Sequence, residues 1–288
     1  MNEPRYPYVW VHVKELEADE ASAALFDLGA LGIEERDAST LIKGAPGRVT
    51  LVASFETQED AELAIGQLPL AWDPALHEVI GDSFRDEWKK HFHPFAVCEG
   101  VVVRPPWEPY DPKPGERVLE LEPGRAFGTG LHETTSLVSH ELATLEAELR
   151  GRERLDLGCG SGILSLVGLV KGAARARATD IDPEAVEVTR ENAVRNGLEN
   201  RIDADCARFL AVEQKYPVVV ANIEARVLIP HAREIMNTVA PSGVLILSGL
   251  LAPQRDDVLA AYTPFTLEAE PVRGEWIALR LRAPKTHA

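Results

Sequence analysis

Leu155-Asp156-Leu157-Gly158-Cys159-Gly160-Ser161-Gly162 decides the reading of this chain. An apolar run leads into three glycines at every second position, and Ile163-Leu164-Ser165-Leu166 continues it as a helix-compatible stretch. Strand, tight turn and helix in that order open a βαβ unit. Glycines in the turn let the backbone bend sharply and approach a ligand closely.

The spacing selects the kind of ligand. A nicotinamide-binding turn reads G-x-G-x-x-G, so that a pyrophosphate can sit on the helix N-terminus. Position 163 is Ile163, so that spacing is absent. Asp156 followed by Gly158, Gly160 and Gly162 suits a ligand without phosphates, such as S-adenosylmethionine, with its methionine part packed over the turn. About 20 residues on, Ala178-Thr179-Asp180-Ile181-Asp182-Pro183 ends the next strand with an acid. A carboxylate there accepts both ribose hydroxyls, which makes Asp180, with Ile181 beside it, a cofactor contact. Asp182 before Pro183 reads as an N-cap, and Asn196-Gly197 as the stop of the helix over 184–195.

Two further segments join the set. Val218-Val219-Val220-Ala221-Asn222-Ile223 is a buried strand with a polar residue at its carboxyl end, where open α/β sheets bind ligands. Asn222 is the catalytic candidate and a cofactor contact: its amide oxygen and a neighbouring carbonyl can hold an amine nucleophile near a sulfonium. The bland alternative is that it caps a helix running from Glu224. Upstream, Arg125-Ala126-Phe127-Gly128-Thr129-Gly130-Leu131-His132-Glu133-Thr134-Thr135 sets glycines beside hydroxyl residues ahead of a helix. Phe127, Gly128, Thr129 and Thr135 are expected to close over the cofactor. His132 and Glu133 are too few for a metal site, and adjacent residues need not face one point.

Around these motifs, apolar runs at 155–157, 176–180, 218–221 and 244–248 alternate with helix-compatible segments, which predicts a doubly wound parallel sheet. Strands at 265–269 and 276–281, joined by a turn at 271–275, add an antiparallel pair, as class I methyltransferases have. The first 80 residues read βαββαβ, the ferredoxin-like plan: strand 8–13, helix 18–28, strands 31–36 and 48–55 around a turn at 44–47, a helix from the Thr57 cap to 68, and strand 77–80. The expected division is a ferredoxin-like platform over 1–80, a linker helix (84–92) with a proline-broken connecting region over 81–116, and a cofactor-binding α/β domain over 117–288.

Composition limits the partners. Hydrophobic residues at 45% and charged residues at 26% are ordinary for a soluble globular protein, and no apolar run approaches the roughly 20 residues of a membrane helix. The first residues lack a secretory pattern, and the three cysteines form no Cys-x-x-Cys pair. The expectation is a cytoplasmic protein without a zinc site or disulfide framework. A net charge of −16 disfavours a nucleic-acid backbone as the main partner. Residues 1–80 carry five basic residues against fifteen acidic ones, which suits a basic partner.

With those segments in hand, the sequence resembles the bacterial methyltransferases of ribosomal protein L11, the PrmA family, over nearly its whole length. The specific part is Phe127-Gly128-Thr129-Gly130 with His132-Glu133-Thr134-Thr135; the glycine turn, Asp180-Ile181-Asp182-Pro183, Val220-Ala221-Asn222-Ile223 and Gly274-Glu275-Trp276 accompany it. The resemblance implies a class I S-adenosylmethionine-dependent protein methyltransferase acting on lysine or terminal amino groups. It also implies that Thr135, Gly158, Asp180 and Asn222 match cofactor-contacting positions, and that the small N-terminal domain docks the ribosomal protein. Leu131 and Glu224 depart from the family pattern; Glu224 either draws a cationic amine toward the site or favours a helix N-terminus, and the second reading is preferred. A small-molecule or other protein N-methyltransferase, an RNA methyltransferase and a non-catalytic binding protein are the competing readings. The acidic platform, the −16 charge and the intact turn with Asp180 count against them in that order.

Overall fold

The computed structural model describes residues 5–14, 17–36, 48–80, 92–122 and 130–285. The expected turn at 44–47, the helix at 84–92 apart from Phe92, and Phe127, Gly128 and Thr129 lie outside the described residues. The chain divides into two compact units, Met1–Phe92 and His93–Ala288.

The first unit contains β1 (Arg5–Lys14), α1 (Ala18–Asp27), β2 (Gly32–Arg36), β3 (Arg48–Ser54), α2 (Gln58–Gln67) and β4 (Ala75–Ile80). Its strands form one antiparallel sheet in the order β2-β3-β1-β4, the ferredoxin-like arrangement. Period-two alternation turns Val9, Val11 and Val13 to one face, where they bury against Leu25 of α1 and Ala61 and Ala64 of α2. Thr57 caps α2, its hydroxyl accepting from the Asp60 N–H at 3.1 Å.

In the second unit β5 (Phe95–Cys98), β6 (Val101–Arg104) and β7 (Arg117–Glu120) make a small three-stranded sheet. Residues 95–104, read from sequence as part of the connection, thus pair with the start of the α/β region. Next come α3 (Glu133–Thr144), α4 (Glu146–Leu149), β8 (Glu153–Leu157), α5 (Ile163–Val170), β9 (Arg175–Asp180), α6 (Pro183–Arg195) and β10 (Ile202–Cys206). The chain continues through β11 (Tyr216–Asn222), α7 (Ala225–Leu228), α8 (Ala232–Asn237), β12 (Val239–Leu251), α9 (Arg255–Ala261), β13 (Thr266–Ala269), β14 (Val272–Arg273) and β15 (Trp276–Arg282).

The large sheet runs β10-β9-β8-β11-β12-β15-β13, with β14 paired to β15. Neighbours from β10 to β12 are parallel, whereas β15 is antiparallel to β12 and β13. Both faces are covered, as a doubly wound fold requires. Val218 and Val220 of β11 pack with Val138 and Leu142 of α3 and Leu166 of α5; Val219 and Ala221 pack on the other side with Leu228, Ile235 and Val258.

Strand β10 was not legible as a strand. It lies at the sheet edge and reads Ile-Asp-Ala-Asp-Cys, with only Ala204 buried, so the continuous apolar run that marks an inner parallel strand is missing. The expected turn at 271–275 also holds the two-residue β14, which folds back on β15 through Gly274. No helix among the described residues is long and apolar enough to cross a membrane.

The strand order fixes where a ligand goes. From β8 the chain moves outward to β9 and β10, then returns to the other side of β8 as β11. The carboxyl ends of β8 and β11 therefore flank a topological switch point, the crevice where open α/β sheets bind ligands.

Candidate cofactor site

The crevice is a cavity of about 450 Å³ at that switch point, lined from four strand ends. Gly158 and Gly160 follow β8, Thr179, Asp180 and Ile181 close β9, Asn222 and Ile223 close β11, and Gly249 belongs to β12. His132, Thr134, Phe209, Glu224, Val227 and Trp276 complete most of the wall.

The glycine turn needs its glycines. Gly158, Gly160 and Gly162 have φ of 67°, 54° and 78°, the left-handed region that a side chain disfavours. Space is short as well: a Cβ on Gly158 would lie 2.9 Å from the Ile223 side chain. Surrounding groups hold the turn. The Gly158 and Cys159 N–H groups both donate to the Thr179 carbonyl, at 2.8 and 3.1 Å. From α6, the Thr189 hydroxyl donates to the Gly160 carbonyl at 2.9 Å and the Asn192 amide to the Ser161 carbonyl at 2.9 Å.

Asp180 faces this turn. Its Oδ2 accepts from the Gly160 N–H at 3.0 Å and its Oδ1 from the Asp182 N–H at 3.1 Å. Both bonds fix the carboxylate at the cavity wall while leaving lone pairs for a diol. Asp182 caps α6 as expected, accepting from the Glu184 N–H at 2.9 Å, with Pro183 in the first turn. Ile181, 72% exposed, projects an apolar side chain at the cavity edge.

Asp156, Gly162 and Thr135 do not line the cavity. Asp156 lies behind the turn, 1% exposed, accepting from the Ser165 hydroxyl at 2.7 Å. Burial pushes its carboxyl up despite the buried Arg154 guanidinium nearby. Gly162 is the N-cap of α5, packed against Thr189. Thr135 is buried in the first turn of α3, while His132 and Thr134 from the same motif line the cavity. His132 caps α3; its Nδ1 lies 2.8 Å from the Thr134 hydroxyl, and its ring meets Trp276 edge-on at 4.8 Å. No group of three or more His, Cys, Asp or Glu among the described residues could hold a metal.

Asn222 is not the helix cap offered as its alternative role. Glu224 occupies the N-cap position of α7, and Oδ1 of Asn222 is buried in the cavity wall without a hydrogen-bond partner among the described residues. The Thr179 hydroxyl, fully buried in the same wall, is likewise unpartnered. Buried polar atoms of this kind call for a ligand or water to complete them. Glu224, expected to favour a helix N-terminus, stands at the N-cap position of α7, but its side chain accepts from none of the helix's backbone N–H groups and pairs with the Arg226 guanidinium instead.

Phe209, Val227, Gly249 and Trp276 were not assigned from sequence. Trp276 had a signal in Gly274-Glu275-Trp276; Phe209 sits in a short turn, Val227 in the four-residue α7 and Gly249 inside the apolar run of β12, where residue type gives no cue. Gly249 is required by packing, since a Cβ there would meet the Ile223 backbone at 2.7 Å. S-adenosylmethionine fits these residues. The Asp180 carboxylate at the cavity wall would take the ribose hydroxyls, a Cβ-free turn leaves backbone open beside it, apolar Ile181 and Phe209 flank the space, and the orphan acceptor Asn222 closes β11.

Comparison with known proteins agrees. The family model for ribosomal protein L11 methyltransferase (PrmA) matches residues 5–284. The ribosomal protein L11 methyltransferase of Sorangium cellulosum is 52% identical, over 98% of this chain and 97% of that protein. Its counterpart from Azotobacter vinelandii is 36% identical over 94% and 98%. Among solved structures, the ribosomal protein L11 methylase of Lactobacillus delbrueckii subsp. bulgaricus superposes with a TM-score of 0.62 at 29% identity, covering 67% of this chain and all of that one. The chain belongs to the ribosomal protein L11 methyltransferase family.

Proposed function

We propose that this protein transfers methyl groups from S-adenosylmethionine to amino groups, of lysine side chains or the chain terminus, on ribosomal protein L11. The observation that carries the reading is the unpartnered Oδ1 of Asn222, a buried acceptor at the switch point beside the glycine turn and Asp180. Family membership supplies the protein substrate.

Bound, S-adenosylmethionine supplies a methyl group on a cationic sulfur, which an amine lone pair displaces in line. The residues of the chain then have three tasks. Asp180 holds the ribose hydroxyls, and the turn from Gly158 to Gly162 keeps side chains out of the way of the methionine part. Asn222 accepts an N–H of the incoming amine and aims its lone pair; positioning of this kind supplies most of what an in-line displacement needs. Desolvation in the cleft and the nearby positive sulfur lower the amine's pKa, so its proton passes to solvent without a dedicated base.

The first unit is the docking platform in this account. Residues 49–80 contain no lysine or arginine, and Glu56, Glu59, Asp60 and Glu62 are exposed on and beside α2. Such a surface attracts a basic protein and repels nucleic acid. The site of action is the cytoplasm, where ribosomal proteins are made. Incubation with methyl-labelled S-adenosylmethionine and a mixture of ribosomal proteins, RNA and small amines tests the proposal. Label is expected in L11; label confined to RNA or small amines contradicts it.

A further inference from the structure

The end of β11 carries a carboxylate that the fold does not use. Glu224 stands at the N-cap position of α7, yet its side chain bonds none of that helix's N–H groups, and a helix of four residues offers an anion little dipole. Its backbone does the capping instead: the Glu224 carbonyl accepts from the N–H groups of Val227 at 2.9 Å and Leu228 at 3.1 Å. Glu224 borders the cavity two residues beyond Asn222, and its carboxylate is engaged by Arg226, through Nε and through Nη2 at 3.4 Å. The two side chains are 63% and 81% exposed. An exposed pair of this kind adds little stability and opens readily.

An amine approaching this cleft meets an electrostatic obstacle. It arrives as an ammonium, and the cofactor's sulfur carries a charge of the same sign. Asn222 offers a neutral acceptor, which orients the nitrogen without offsetting that repulsion. A carboxylate beside it does offset it, because opposite charges at short range favour the charged form of the approaching group. Arg226 is itself a cation, so it competes with the substrate for the same carboxylate.

On the basis of the proposed amine transfer, we infer that Glu224 captures the substrate's ammonium at the mouth of the cleft, and that Arg226 guards the carboxylate until the substrate displaces it. Glu224 takes no part in the bond exchange. The amine leaves the carboxylate, gives its proton to water, and forms the nitrogen–carbon bond as the carbon–sulfur bond breaks.

Steady-state kinetics on L11 with S-adenosylmethionine, for the wild type, Glu224→Gln, Arg226→Ala and the double variant, test this. Glu224→Gln is expected to raise KM for L11 about three- to ten-fold at low salt, with the loss falling on KM rather than kcat and KM for the cofactor held within about two-fold. Arg226→Ala is expected to lower KM for L11 about two-fold, an effect that disappears when Glu224→Gln is also present, because the two residues act on one interaction. An unchanged KM for L11 in Glu224→Gln, a parallel rise in the cofactor's KM, or an Arg226→Ala effect that survives in the double variant overturns the inference. A wild type that labels no L11 overturns the functional reading itself; one that labels L11 with a KM indifferent to Glu224 overturns this inference alone.

Discussion

The Gly160 N–H donates to Oδ2 of Asp180 across 3.0 Å, tying the glycine turn after β8 to the acid that ends β9. The two cofactor motifs, 20 residues apart in sequence, are thus one piece of structure: the carboxylate assigned to the ribose also holds the turn assigned to the methionine part.

If Asp180 holds the ribose as proposed, Asp180→Ala removes a ribose ligand and loosens the turn together. Affinity for S-adenosylhomocysteine should fall about 10- to 100-fold by calorimetric titration, the equivalent of one or two charge-assisted hydrogen bonds. An affinity within a factor of about two of the wild type would show that Asp180 does not contact the ribose.

Gly162 and Gly197 make a matched comparison, because both have positive φ, 78° and 63°, but only one is crowded. A Cβ on Gly197 meets nothing within 4 Å, whereas one on Gly162 lies 2.9 Å from Cγ2 and Oγ1 of Thr189. Gly197→Ala should cost about 1 kcal/mol, the left-handed strain alone. Gly162→Ala should cost about 3 kcal/mol through added overpacking, and weaken cofactor binding by moving the hydroxyl that supports Gly160. Urea unfolding of both variants measures the difference; equal losses would remove crowding as the cause.

The thiols should separate by burial. Cys98 and Cys159 are buried, and desolvation pushes their pKa values up to about 11 and about 12; Cys206 is exposed. A raised thiol pKa keeps the neutral, unreactive form at pH values where an ordinary cysteine ionises, so raising the pH to about 8 activates neither buried thiol. Ellman's reagent should titrate Cys206 rapidly in the folded protein and the other two only after unfolding. Fast reaction of a second thiol under native conditions would contradict this.

The docking role proposed for the first unit predicts a charge effect. Glu59→Lys combined with Glu62→Lys should raise KM for L11 and flatten its salt dependence without altering cofactor affinity, since both residues are exposed on α2. A KM and salt dependence equal to those of the wild type would place docking elsewhere.

Much of this architecture was legible in the sequence because each signal had a local physical cause. Buried parallel strands are apolar where both faces are covered, so β11 and the middle of β12 stood out, while β8 and β9, which carry charged residues, were marked by the Gly-x-Gly-x-Gly turn and the acid at their carboxyl ends. Caps at Thr57 and Asp182 were readable for the same reason: side-chain oxygens at helix starts satisfy orphan N–H groups. What escaped was set by tertiary position. β10 is an edge strand with alternating acids, and Phe209, in the turn after it, and Gly249, within β12, reach the cavity only because the sheet brings them together. Thr134, one residue before the expected Thr135, lines the cavity because helical rotation decides which side chain of the first turn faces inward.

Asn222→Ala should reduce kcat/KM for L11 about 100-fold, the loss expected when a nucleophile is no longer aimed. A variant with full methyl transfer and full cofactor affinity would show that the orphan amide oxygen has no part in the reaction.

The most direct measurement of the central claim is peptide mass spectrometry of purified L11 after incubation with the wild-type protein and S-adenosylmethionine, beside the Asn222→Ala protein. The account predicts added methyl groups on lysine or terminal amino groups of L11, in an amount that falls sharply with the variant. Unmodified L11 in the presence of wild-type protein that demonstrably binds the cofactor would contradict it.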